Sequence, residues 1–188
     1  MADRRRLDPP HGSSQGFNYT SAMRALCEDF IARLEELRHV DLARVGLGFI
    51  QARNNSRLGL YASVTPLRFA GGRTHVTRRG KRFGLQRVYL SNGTECLYLL
   101  NFYLPRFQDL PLREALDTVA HELWHIGPKF DGDVRRFAGR CYAHSGSKDS
   151  YDAHAAKMVD RWLALRPPPG LYSFLEPSFA ELQARYGP

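Results

Sequence analysis

The sequence predicts an α+β fold, and three observations carry that prediction. Apolar residues recur at helical spacing up to Arg38, which indicates an amphipathic helix with Thr20 or Ser21 as its N-cap. Short apolar runs separated by Gly and Asn residues follow, as expected for a small, mostly antiparallel sheet. Two longer helical segments and a short one then complete the chain, so helices would flank the sheet.

The strand-like runs lie in the middle of the chain. The pair Asn92-Gly93 predicts a hairpin turn immediately before the last of them. That last run could be a sheet edge where an extended peptide adds as a further strand, or simply a buried strand. The runs comprise residues 45–52, 60–69, 86–91 and 96–104.

The second half of the chain reads as helical. Pro111 suits the first turn of a helix that begins near residues 109–111 and continues to Ile126, where Gly127-Pro128 stops it. A polar connection follows up to residue 147. A third helix is expected over residues 149–165, and residues 172–186 can hold one more short helix.

Length and composition limit the class of protein. The 188 residues suit one domain over residues 17–188, preceded by a disordered lead over residues 1–16. No window of about 18 apolar residues predicts a membrane span, and the N-terminus does not look like a secretory signal. Three cysteines are too few for a secreted disulfide scaffold, so we expect a cytoplasmic protein.

The net charge of +8 comes from one segment. Residues 42–94 contain ten basic side chains and no acidic one, whereas the rest of the chain carries 17 basic and 19 acidic residues. Such a block could bind nucleic acid through its phosphates. It could equally be a solvated surface, or a set of arginines that meet acidic groups elsewhere. The sequence shows no aromatic residues interleaved with the charges in a nucleic-acid motif.

One motif carries chemistry. Residues 121–125 read His-Glu-Leu-Trp-His, an HExxH pattern within the second predicted helix. Residues four apart share a helix face, so the imidazoles of His121 and His125 can bind one ion. Zn²⁺ accepts such nitrogen ligands, and three protein ligands leave a fourth position for water. Glu122 lies beside the ion without binding it and can act as general base on that water.

The same helix face has a simpler interpretation. The two histidines could belong to a polar stripe that faces solvent, since the apolar residues lie on the opposite side of the helix. We favour metal binding because the whole motif lies on an accessible face. Asp117 could then orient a ligand histidine through a hydrogen bond to the ring nitrogen that does not bind the ion, or be an ordinary solvated carboxylate. The stripe would comprise Glu114, Asp117, His121 and His125.

A third ligand must come from downstream of the helix. We expect His144, because a loop in the polar connection can fold back over the ion. His154 on the third helix is an alternative, although a histidine beside an apolar face is more often packed. Asp131 and Asp133 look first like turn residues. The remaining candidates are Cys141, Asp149 and Asp152, and the tyrosines that could stabilise an oxyanion are Tyr142 and Tyr151.

Residues 95–125 resemble the strand, linker and active-site helix of SprT-like and phage-type metallopeptidases, which are small zincins. The resemblance covers residues 20–165 in outline, and its specific part is the HExxH helix. It implies a zinc peptidase in which the motif histidines bind the metal and the motif glutamate is the general base. It also implies His144 as third ligand, with Ser145 where the family has Gly. Some members act on proteins bound to DNA.

Together these observations predict a minimal zincin-like metallopeptidase. Zinc and Glu122 would activate water to hydrolyse peptide bonds in a peptide or protein substrate, DNA-associated proteins among them. The alternative is a basic module that binds nucleic acid or another partner and holds a structural metal. A structural site has no need for a glutamate between its ligands, so the enzyme is favoured. The sequence indicates no membrane partner and leaves the oligomeric state open.

Overall fold

The computed structural model describes residues 16–52, 59–137 and 148–187 of the chain. Helices flank short strands within these ranges, so the predicted α+β class is confirmed. The lead predicted for residues 1–16 lies, except for Gly16, outside the described residues. The helices are α1 (Tyr19–Arg33), α2 (Leu112–Trp124), α3 (Lys148–Ala164) and α4 (Phe179–Tyr186), and the strands are β1 (Val45–Gln51), β2 (Ala62–Pro66), β3 (His75–Arg78), β4 (Lys81–Gly84), β5 (Val88–Tyr89), β6 (Glu95–Cys96) and β7 (Tyr98–Leu104).

Helix α1 begins and ends earlier than the sequence predicts. Its N-cap is Asn18, whose side chain accepts a hydrogen bond of 2.9 Å from the backbone N–H of Ser21. The prediction of Thr20 or Ser21 as N-cap is therefore wrong, because an amide oxygen one turn earlier already satisfies this donor. At the other end Leu34 is extended, and a single 3₁₀ turn over Glu35–Leu37 replaces the last predicted turn.

Strands β1, β7 and β2 form the main sheet in that order. Strand β2 pairs antiparallel with β7, as predicted for most of the sheet, whereas β1 pairs with β7 in parallel. Strand β7 is central, and its alternate residues Tyr98, Leu100 and Phe102 are fully buried. The interpretation of residues 96–104 as a sheet edge for peptide addition is therefore wrong, and the buried-strand alternative is confirmed.

Two short hairpins lie beside this sheet. Strands β5 and β6 pair across the predicted Asn92-Gly93 turn, in which Gly93 adopts a φ of 79°. Strands β3 and β4 pair across Arg79-Gly80, a hairpin that the sequence did not predict. Its strands are rich in exposed polar and basic residues, so no alternation of buried apolar side chains marks them.

The core lies between the sheet and the helices. A buried ring pair and a set of surface hydrogen bonds hold α3 against the neighbouring helices. The Trp162 ring of α3 stacks on Phe30 of α1 with 4.3 Å between ring centroids. Arg113 of α2 donates to the Asp160 carboxylate at 2.6 Å and to the Ala156 carbonyl at 3.0 Å, which holds α2 beside α3. The residues that α2 buries on its apolar face are Ala115, Leu116, Val119, Ala120 and Leu123.

The remaining helices follow the sequence closely. Helix α2 starts just after Pro111 and ends two residues before the predicted stop, and α3 is one residue offset from its predicted range. Helix α4 lies within the tail and starts with a capping box, in which Ser178 and Glu181 satisfy each other's backbone N–H groups. No helix in the described ranges is both long and apolar enough to cross a membrane.

Candidate metal and catalytic site

The HExxH motif lies at the C-terminal end of α2, as predicted. His121 and Glu122 are in its last turn, and His125 is the C-cap residue with helical φ and ψ of −65° and −23°. One helical turn therefore separates the two imidazoles, and both point away from the buried face of α2. They do not form a solvent-facing stripe, because α3 covers them: the side chain of His121 is only 15% exposed. The solvent-stripe interpretation is wrong for these two residues.

The two imidazoles converge on each other through the same ring nitrogen. The Nε2 atoms of His121 and His125 lie 3.0 Å apart. Two nitrogens bound to one tetrahedral zinc ion, each about 2.05 Å from it, are about 3.3 Å apart. If the two Nε2 atoms moved apart by a few tenths of an ångström, both rings could bind one ion. The donor set and its spacing therefore fit two of the three protein ligands of a zinc site.

Helix α3 holds the outer nitrogen of each ring. The Asp152 carboxylate lies 2.9 Å from Nδ1 of His121, and the Tyr151 hydroxyl lies 3.1 Å from Nδ1 of His125. The Tyr151 ring also stacks on His125, with ring centroids 4.7 Å apart. Such partners on the second nitrogen orient metal-binding histidines and raise their basicity. Both contacts come from α3, so its packing against α2 sets the orientation of the two imidazoles.

For two neutral imidazoles, these contacts fit the following proton positions. The Asp152 carboxylate only accepts, so a neutral His121 donates from Nδ1 and keeps a lone pair on Nε2. His125 then donates from Nε2 to that lone pair, and its Nδ1 accepts from the Tyr151 hydroxyl. Binding one ion needs lone pairs on both Nε2 atoms. The proton of His125 would then move to Nδ1, where the Tyr151 oxygen can accept it.

Glu122 is the buried acid of the site. It is 8% exposed, and its carboxylate accepts a hydrogen bond from the backbone N–H of Val64 in β2. Burial raises the pKa of Glu122 to about 7, and the Val64 hydrogen bond opposes that rise only in part. A carboxyl with a pKa near neutrality can both take up and release a proton at the pH of a cell.

A cleft of about 870 Å³ opens beside the motif. One wall is strand β2 with the residues before it, and the other is formed by α2 and α3. The backbone N–H of Tyr103 donates to the Tyr61 carbonyl at 2.9 Å. Backbone groups along an antiparallel strand point alternately towards and away from its partner, so those of Ala62 and Val64 point away from β7. The edge of the main sheet at this cleft is therefore β2. The motif residues His121, Glu122 and His125 all line the cleft.

The third predicted ligand, His144, lies outside the described residues, as do Cys141 and Tyr142. Within the described ranges, no three His, Cys, Asp or Glu side chains form a group that could hold a metal ion. The third ligand therefore stays a prediction.

Three alternatives to His144, namely Asp131, Asp133 and His154, make other contacts in the described part of the chain. The Asp133 carboxylate accepts from the guanidinium of Arg136 at 2.7 Å and from the backbone N–H of Gly71 at 2.9 Å. Asp131 accepts from the backbone N–H of Asp133, which is the turn role expected of it. The His154 ring packs at a tilt against Trp124, with ring centroids 4.4 Å apart, and Nε2 is buried without a hydrogen bond. None of these three side chains forms a metal-holding group with the two histidines in the described residues.

The sequence missed the groups that orient the histidines. Asp117, for which the sequence left open an orienting role or that of a solvated carboxylate, accepts from Nε of Arg113 at 2.9 Å. Tyr151 and Asp152 were considered as an oxyanion donor and as a ligand, and the structure places them behind the rings. Helix α3 carries no motif, so only knowledge of how α2 and α3 pack could have identified these two residues.

Comparisons with known proteins give no independent identification: no protein family, curated protein or solved structure matches this chain.

Proposed function

We propose that this protein is a zinc-dependent metallopeptidase. The observation that carries the proposal is the convergence of the two Nε2 atoms, 3.0 Å apart, with both Nδ1 atoms held by α3 and the buried Glu122 between the two histidines. His121 and His125 would be two protein ligands, and His144 is the predicted third. A bound zinc ion would polarise the scissile carbonyl and make a nearby water more acidic.

The chain's own residues then perform the proton transfers. Glu122 faces the cleft from a desolvated position, so its carboxylate would take a proton from the attacking water. It would next deliver that proton to the nitrogen of the leaving amine. Val64 holds Glu122 in place through its backbone N–H while this happens. The glutamate thus acts as base and then as acid.

Strand β2 would align the substrate. The outward backbone groups of Ala62 and the outward carbonyl of Val64 face the cleft, and a peptide in extended conformation could run along them. Main-chain hydrogen bonds of this kind recognise an unfolded segment rather than a particular sequence. A peptide or protein segment that can be extended is therefore the substrate class that the cleft supports best.

The test compares Glu122→Gln with wild type on fluorescein-labelled, unfolded casein, with zinc content measured by elemental analysis. Glu122→Gln should keep one zinc per chain and lose hydrolysis, because the amide cannot accept the proton. The matched control is Glu114→Gln, which makes the same change at an exposed glutamate of the same cleft and should cleave normally. Hydrolysis by Glu122→Gln at the wild-type rate would refute the mechanism.

The alternative is a binding module with a structural metal. It predicts that Glu122→Gln changes no activity, that wild type cleaves no unfolded protein, and that chelation unfolds the chain. Burying a carboxylate beside the histidines costs stability, and a structural site would gain nothing from it. This cost favours the enzyme over the module.

We also propose a reducing, cytoplasmic compartment. In the described part of the chain, Cys27 and Cys96 are both buried and form no disulfide. Burial raises the pKa of the Cys27 thiol to about 12, so this thiol stays protonated and unreactive. Both described cysteines thus act as small apolar core residues.

A further inference from the structure

The basic residues of segment 42–94 separate into two groups in the structure. Three arginines surround one carboxylate, that of Glu95: Arg44 at 3.0 Å, Arg87 at 3.5 Å, and Arg68 in direct contact. Arg53 and Arg57 lie outside the described residues. The other five basic residues lie on or next to the hairpin of β3 and β4, and no described carboxylate lies within ion-pair distance of them. They are Arg73, Arg78, Arg79, Lys81 and Arg82.

The β3–β4 hairpin presents an aromatic ring together with these charges. Its register pairs Arg78 with Lys81 and Val76 with Phe83, which places these four side chains on one face. Phe83 is 49% exposed, although a Phe of a small sheet is normally buried. The Arg78–Lys81 pair is therefore two residues, or about 7 Å, from the Val76–Phe83 pair along the hairpin. The sequence pattern alone shows no aromatic residue interleaved with the charges, whereas the strand pairing places Phe83 on the same face as Arg78 and Lys81.

The first residue of the hairpin turn is Arg79, although the backbone conformation there favours Asn. Arg79 and Gly80 have φ values of 50° and 73°, the left-handed conformation of a type I′ turn. Asn-Gly is the preferred pair there, and an Arg at the first position is strained. The tip of the hairpin thus keeps a positive charge at a cost in local stability.

We propose that the β3–β4 hairpin binds single-stranded nucleic acid. The cations on the Phe83 face and at the turn, namely Arg78, Lys81 and Arg79, would contact phosphates, and Phe83 would stack on an unpaired base. A nucleotide places an aromatic base next to each negative charge, which matches the cation pair and ring on the hairpin face. An acidic protein surface offers the charge without the base and would leave Phe83 exposed. The site is separate from the HExxH motif and does not depend on a peptidase activity.

The experiment measures binding of a fluorescein-labelled 20-nucleotide oligothymidine to the full chain by anisotropy at several salt concentrations. Three phosphate contacts on a single strand predict a slope of log K against log salt of about −2.1. Replacing Arg78, Arg79 and Lys81 together by Gln removes these contacts, so the slope should approach zero and the affinity at low salt should be at least about tenfold weaker. These side chains are exposed, so the variant should fold.

A charge-matched control separates a site from general basicity. It replaces three exposed basic residues outside the hairpin, namely Arg38, Lys157 and Arg185, by Gln. This control has the same net charge as the hairpin variant and should bind like wild type. Equal loss of affinity in both variants, or no loss in the hairpin variant, would overturn the proposal.

Two single substitutions test the ring and the turn. Phe83→Ala should weaken oligothymidine binding by at least about fivefold without changing the salt slope, because stacking involves no counterions. Arg79→Asn should weaken binding while it raises thermal stability, since Asn suits the turn. Displacement of the oligothymidine by polyglutamate at equal charge concentration would instead indicate an acidic protein as the partner. Glu122→Gln should bind like wild type, so this result is independent of the proposed hydrolysis.

Discussion

Helices α2 and α3 contribute to the candidate site in different ways. Helix α2 carries the groups that would react, His121, Glu122 and His125, within five consecutive residues. Helix α3 carries the groups that orient them, Tyr151 and Asp152, which contact the outer nitrogens of the two imidazoles. The first set can be recognised in the sequence as a motif. The second set has no motif and is identified only by the packing of the two helices.

The difference has a physical origin. The spacing of α2 fixes its functional groups relative to one another, because one helical turn always brings residues four apart onto one face. The position of α3 depends on tertiary contacts, among them Arg113 to Asp160 and Trp162 on Phe30. A local geometry leaves a pattern in the sequence, whereas a geometry set by packing does not. Substitutions on α2 should therefore remove a function, and those on α3 should weaken it.

The largest effect should come from removing a histidine of α2. His125→Ala leaves one motif ligand, so its zinc affinity should fall more than about 100-fold, beyond the range expected for loss of an orienting group. The matched control on α3 is His154→Ala, because the His154 ring packs against Trp124 rather than against the two imidazoles. Zinc titration with a competing chelator measures both. If His154→Ala lost zinc as completely as His125→Ala, the assignment of ligands to α2 alone would be wrong.

The next effect concerns stability rather than activity. Burial raises the pKa of Glu122 to about 7, so the metal-free folded state holds a proton that the unfolded state releases near pH 4.5. The free energy of unfolding of the metal-free wild-type protein should therefore fall, relative to that of Glu122→Gln, as pH rises from about 4.5 to about 7. Above pH 7 Glu122→Gln should be more stable by on the order of 3 kcal/mol.

Urea unfolding of the metal-free proteins at pH 5 and pH 8 checks this prediction. Glu114→Gln is the control, since the Glu114 side chain is exposed and should show no such dependence. A Glu122→Gln variant that is no more stable at pH 8 than wild type would mean that the reactive face of α2 carries no cost in stability.

The same contrast explains how much of the fold could be predicted. The apolar periodicity of α1, α2 and α3 predicts each helix to within a few residues, because burial of one face dictates the pattern. The hairpin of β3 and β4 was missed because its side chains are exposed and its strands bury little. The position of β7 was left open between a sheet edge and a buried strand, since an apolar run does not show which strands pair with it.

The candidate site shows the same limit. The residues His121, Glu122 and His125 could be predicted, whereas for the orienting role the sequence offered only Asp117 of the same helix, with a solvated carboxylate as an equal alternative. Asp117 was considered because it lies one turn before His121. The structure pairs it with Arg113 instead, and α3 supplies the carboxylate from 31 residues further along the chain. Partners so distant in sequence are determined by packing alone.

Asp152→Asn should produce a smaller loss than His125→Ala. The amide can still accept from Nδ1 of His121 but no longer offers a negative charge, so zinc affinity and activity should each fall about 10- to 100-fold. Asp160→Asn is the control on the same helix, because Asp160 pairs with Arg113 and is largely exposed. Competitive zinc titration and the casein assay provide the readouts. Equal losses in both variants would indicate that α3 matters for packing and not for orienting His121.

The smallest effect should follow Tyr151→Phe. The Phe ring keeps the stacking on His125 and removes only the hydroxyl, which lies 3.1 Å from Nδ1. A neutral hydrogen bond contributes about 0.5–1.5 kcal/mol in all, so zinc affinity should fall by no more than about 10-fold. The hydroxyl can donate to Nδ1 without metal and accept from it with metal, so its loss raises the energy of both states. Only the difference between these two costs appears in the affinity, which is why this effect should be smaller than that of Asp152→Asn. A Tyr151→Phe loss as large as that of His125→Ala would contradict the orienting role and would mean that the tyrosine is itself part of the reacting group.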